Sequence, residues 1–195
     1  LSTVALNFLD AFVPLPNRPD GLLSFGSGQK QDQDNLLGKV DHQFTSANRA
    51  SVRWLHNWET FQEATGNLPG FFASIKYRNI NVSGTDTHII GPTLLNSFVF
   101  TFNDIDRRQL SIVPGNKNWS DFGARIVRSF TAEGVPAGFD TNVQGRFQAF
   151  SRFPLNHFRR HYHVADRINW TKGAHFLKFG GEYRRSILDL QEFFQ

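Results

Sequence analysis

The chain has 195 residues, 39% hydrophobic and 14% aromatic, with 21 Phe, no Cys, and a formal charge of +4. The missing Cys excludes disulfides and thiolate metal sites, and so small and dispersed a charge excludes a nucleic-acid footprint. There is no apolar run of about 18 residues to make a membrane helix, but a β-barrel crosses a bilayer at low hydropathy because every second side chain faces its lumen.

Residues 2–13 read as a short amphipathic helix, with Ser2 as N-cap, Val4, Phe8 and Phe12 on one stripe, and Pro14 and Pro16 as the stop. The Gly-, Pro- and Ser-rich stretch 17–33 is a loop. From Asp34 to Thr45 the pattern alternates, with Leu36, Val40 and Phe44 against Lys39, Asp41 and Gln43. A tight turn at 46–49 leads into the strand 50–62, where Val52, Trp54, His56 and Trp58 oppose Ser51, Arg53, Asn57 and Glu59.

After a loop at 63–74, the segment 76–90 is extended, with poor alternation around Asp86 and His88 that suggests a bulge or register shift. A short turn at 91–95 precedes the strand 96–109, with Phe98, Phe100 and Phe102 on one face. A long polar region, 110–160, has strand potential only near 142–151. A last hairpin joins 161–171 to 174–188 through Lys172-Gly173, with Leu177, Phe179 and Tyr183 opposing Lys178, Glu182 and Arg184.

These elements predict an all-β fold: an antiparallel up-and-down, curved, open sheet of about six long strands, with long extracellular loops and a short N-terminal helix. The division is 1–33 helix and loop, 34–109 four strands, 110–160 extracellular excursion and 161–195 hairpin. Outer-membrane barrels keep short turns on the periplasmic side, so the turns near 47, 93 and 172 set the strand directions. That parity leaves no place for a spanning strand between 109 and 161, and assigns the piece at 142–151 to the excursion or to a hairpin above the membrane. With no Met in the chain and no signal-peptide pattern before Leu1, the sequence reads as an internal fragment cut at both ends.

The segments Pro14-Leu-Pro-Asn17, Asp34 to Phe44, Gly91 to Phe98 with Phe102-Asn103, and Asp166 to Arg185 resemble, in order and spacing, the barrel domain of TonB-dependent outer-membrane receptors. The resemblance is to the Oar-like branch, which carries a carboxypeptidase-regulatory-like domain, and it is weakest across 110–150. It implies an early part of a barrel of about 22 strands. It also implies partners in the full-length protein: outer-membrane lipid, a plug domain, the TonB complex and a transported substrate. The plug and the TonB-interacting segment are absent from this sequence.

His157, His161 and His163 lie beside Arg159-Arg160, and two of the three share a strand face. Imidazoles so placed suit a metal, but no carboxylate or Cys is spaced to complete the shell, and a polar strand start at the outer rim is the preferred reading. Asp41-His42 and Asp166-Arg167 lack a nucleophile in a recognisable setting, so neither an enzyme nor a cofactor is expected. Lys39, Asp41, Arg53, Glu59, Arg167, Lys178, Glu182 and Arg184 are read as lumen-facing, able to pair across strands or touch a plug.

Asp166 shares the parity of Val164, Ile168 and Trp170 and is expected near an interface or a local bulge. Gly180-Gly181 is read as permitting strand bending or close packing, and Trp170 as part of the periplasmic aromatic girdle. Trp54 and Trp58 are read as a lipid-facing stripe. The alternative is a soluble carbohydrate-binding β-sandwich in which the two indoles form a sugar platform and the apolar stripes pack against each other.

Overall fold

The computed structural model describes residues 1–125, 140–151 and 154–192. The elements in chain order are α1 (Thr3–Phe12), β1 (Gln31–Thr45), β2 (Asn48–Ala64), β3 (Phe72–Gly91), β4 (Leu94–Ile112), two 3-10 turns (Pro114–Asn116 and Trp119–Phe122), β5 (Asp140–Val143), β6 (Phe147–Phe150), β7 (Leu155–Lys172) and β8 (His175–Glu192).

Six strands form one antiparallel sheet in the order β1-β2-β3-β4-β7-β8, while β5 and β6 pair only with each other. This is the expected up-and-down sheet, open at β1 and β8, and the piece near 142–151 is the hairpin standing outside it. The long strands run for 15 to 20 residues, where a tilted membrane span needs about 10. They are therefore longer than such a crossing requires.

The register shows why alternation was the informative signal. Val40, Val52, Gly84, Phe100, Val164 and Tyr183 are successive cross-strand partners and so share one row on one face. On the next row of the opposite face, Lys39, Arg53, Ser83, Thr101, His163 and Arg184 are successive partners. Among the described residues, no second layer covers the apolar face: Val40 is 67% exposed and Tyr183 62%. The sandwich alternative fails here, because it needs a second sheet to cover that face and the other described sheet is the four-residue hairpin.

Several boundaries and irregularities differ from expectation. No bulge occurs at Asp86 or His88; they pair continuously with Phe98 and Asn96, and the irregularity falls at the turn, between Ile89 and Gly91. The last tight turn is Gly173-Ala174 rather than Lys172-Gly173, with Lys172 paired to His175 and Gly173 at φ +60°. That left-handed first loop residue suits a turn whose twist matches the strands. β7 begins at Leu155, so the excursion is shorter than 110–160; residues 126–139, 152 and 153 of it lie outside the described residues.

The three short turns lie at one end of the sheet, and the first two are tied to the strand beyond: Ile89 N–H donates to Ala47 O at 2.7 Å and Thr171 N–H to Thr93 O at 2.8 Å. The other end holds the long connections and a packed apolar core. The α1 stripe was read correctly: Ala5 N–H donates to Ser2 Oγ at 3.2 Å, and Phe8 and Phe12 are buried. They pack with Leu68, Phe71, Phe122 and Ala149 from the β2–β3 loop, the second 3-10 turn and β6. Phe8 stacks on Trp119 at 5.2 Å and Phe12 meets Phe71 edge-on at 5.1 Å. This aromatic cluster forms a crown over the long-loop end.

Candidate functional site

The polar face is the surface that a barrel turns inward. All eight charged residues expected there, from Lys39 to Arg184, do share it by register. Their pairing is only partly across strands. Lys39 binds Asp41 at 2.8 Å and Arg184 binds Glu182 at 3.0 Å, each along one strand, whereas Arg49 reaches Asp41 at 3.8 Å and His163 reaches Glu182 at 3.2 Å from neighbouring strands. Glu59 accepts a hydrogen bond from the Gln31 amide. Lys39 faces the like-charged Arg53 directly.

Between these charges lies a run of amides not expected from the sequence. Asn35, Asn57 and Asn79 form one row, and Asn81 and Asn103 sit in the next. Asn57 is buried and donates to Asn35 Oδ1 at 2.7 Å. The signal was present in the alternation of Asn79, Asn81 and Ser83. Chemically, this face offers neutral donors and acceptors bordered by ion pairs, a surface for binding polar groups.

His157, His161 and His163 all lie on the polar face within β7, which begins at Leu155. His163 is engaged by Glu182, and His161 Nδ1 meets Ser186 Oγ at 2.8 Å. Among the described residues, no group of three or more His, Cys, Asp or Glu is placed to hold a metal ion. The His161–Ser186 contact resembles that of a base and its nucleophile, but no described carboxylate hydrogen-bonds His161 to orient it.

The opposite face carries the aromatics. Trp54, His56 and Trp58 follow one another on it, with rings 5.8 and 4.2 Å apart, and Trp54 covers Gly38 on β1. Trp170 sits beside the last short turn, with Lys172 Nζ 5.2 Å over its ring. Asp166 also lies on this face, without a bulge, and is satisfied by Asn96. Gly180 is where β7 approaches closely: a Cβ there would collide with the Asp166 carbonyl, while one on Gly181 would meet nothing.

No curated protein and no solved structure matches the chain. A family model described as an outer membrane beta barrel domain matches residues 1–195. It accords with the largely apolar face, the polar face behind it and the segregation of short turns from long connections. The chain belongs to the outer membrane beta barrel domain family, and its strands cross the outer membrane.

Proposed function

We propose that this chain is part of the barrel of a TonB-dependent outer-membrane receptor of the Oar-like branch, which takes up a bulky substrate such as an iron chelate, an oligosaccharide or a peptide. The observation that carries this reading is the crown. Strands far longer than a membrane span lift α1, the β2–β3 loop, the 3-10 turns and the β5–β6 hairpin above the bilayer and knit them into one packed unit. A simple pore needs no such structure, whereas a receptor needs a shaped surface that meets cargo first.

On this reading the protein transports and does not catalyse, and it needs no cofactor. The crown and the amide-rich inner face contact the cargo. The inner charges Arg53, Arg167 and Lys178 also face a plug domain, which the TonB complex displaces. The test is uptake by cells expressing the full-length protein with and without the TonB system. Loss of accumulation in the TonB-deficient strain supports the reading; accumulation that follows passive equilibration in both strains overturns it.

A further inference from the structure

The lipid-facing surface does not stay apolar to the top of the strands. Above the row that holds Val82, Phe102 and Tyr162, a charged checkerboard covers β3, β4 and β7. Arg78 pairs with Asp104 at 3.0 Å and with Asp106 at 4.0 Å; Arg108 holds Asp106 at 3.2 Å and Arg160 holds Asp104 at 2.9 Å. Lys76, directly opposite Arg108, makes no ion pair among the described residues. Four cations thus surround two carboxylates.

The layering of this patch sets its outward charge. Asp104 and Asp106 are 14% and 12% exposed, whereas Arg78, Arg108 and Arg160 are 46 to 56% exposed. The carboxylates lie beneath and hold the guanidiniums outward, leaving an excess positive charge at the surface. Asp34 and Asp189 end the row of Arg78 on the two outermost strands, away from this centre.

The depth of the patch is marked by aromatics. Trp58 and Phe158 flank Arg78 and Asp106 in the same row, and Arg108 lies 5.7 Å over the Phe158 ring. Amphipathic and aromatic side chains concentrate at headgroup level. Between Trp58, Lys76, Arg78 and Arg108 runs a groove of about 410 Å³, lined also by His56, Glu59 and Asp106. The long-loop end places it in the extracellular leaflet.

We infer that this groove binds a phosphorylated lipid of the extracellular leaflet, with Lys76, Arg78 and Arg108 on the phosphate and the acyl chains lying along the apolar band. Guanidiniums match phosphate oxygens two at a time, and the half-buried carboxylates hold Arg78 and Arg108 in place through part of their donors. The inference rests on the barrel and its orientation, and stands apart from TonB-driven uptake.

The test is native mass spectrometry of this chain in detergent micelles, offered diphosphoryl lipid A or the same lipid after phosphatase treatment. Retention of the phosphorylated form should exceed that of the dephosphorylated form at least by about tenfold, since each cation near a lipid phosphate is worth about fivefold in affinity. K76Q/R108Q should lower retention by about 25-fold, and millimolar inorganic phosphate should not compete. Equal retention of the two lipid forms overturns the proposal, as does undiminished retention by a folded double variant. Competition by free phosphate overturns the assignment to lipid. If the double variant loses its sheet by circular dichroism, the comparison of lipid forms on the unaltered chain decides.

Discussion

Asn96 on β4 donates Nδ2 to Asp166 Oδ1 on β7 at 2.6 Å, on the face turned to lipid. Asn48 on β2 makes the same contact to Asp86 on β3 at 3.1 Å. In both cases the Asn reaches diagonally, two residues past its direct partner, and Asp86 and Asp166 end up in one row joined through Phe98. A carboxylate on this face is tolerated because an amide from the next strand meets it. Asn96→Ala should therefore lower stability by about 1–3 kcal/mol, the cost of leaving a charged group unsatisfied. Adding Asp166→Asn should recover part of that loss. Urea unfolding in detergent checks both; an Asn96→Ala curve superimposed on the parent would sink the idea.

Two neighbouring residues separate the faces. Phe100 lies in the central apolar row, and Thr101 in the polar row beside it. Arg at Phe100 should cost about 2–4 kcal/mol in a bilayer, while Arg at Thr101 should be nearly neutral. Folding yield into vesicles measures the difference, and equal yields would mean that the faces are wrongly assigned.

The glycine pair makes a second contrast. Gly180→Ala forces a Cβ into the Asp166 carbonyl, a backbone atom with nowhere to move, and should cost about 1–3 kcal/mol. Gly181→Ala has open space and should cost less than about 1 kcal/mol. Thermal unfolding in detergent should rank the two variants in that order.

An open sheet with an exposed apolar face and two free edges has strong reasons to self-associate. The isolated chain should aggregate in plain buffer and pass no ions when reconstituted. Size-exclusion chromatography with and without detergent tests the first expectation; a monodisperse, cooperatively unfolding species in buffer contradicts it.

The strands were legible where one face meets lipid and the other water, because that environment enforces alternation, as in Val52 to Trp58 and Phe98 to Phe102. Beyond the membrane both faces are wet and the constraint lapses. The start of β7 was missed for that reason: Asn156, Phe158 and Arg160 share the outer face without a common character. The poor alternation at Asp86 suggested a bulge, and the partner that makes a regular strand possible there, Asn48, lies 38 residues away. The α1 stripe was legible from its own spacing. What it packs against was not, since Phe71, Phe122 and Ala149 come from separate connections. The outward Arg and Asp network was similarly hidden, because the pairs Arg78–Asp104 and Arg160–Asp104 cross strands whose register no single segment encodes.

The crown ties the beginning of the chain to residues far along it: Asn7 Nδ2 donates to Phe122 O across 115 positions. Closing so long a loop is entropically unfavourable until intervening strands have shortened it. The crown should then be completed late, after β1 to β4 are threaded and in register. Refolding watched through Trp119 fluorescence, in a chain with its other tryptophans replaced, should lag the circular-dichroism signal of the sheet. The aromatic knot at the cell exterior would thereby act as a latch, closing only on strands that have already crossed.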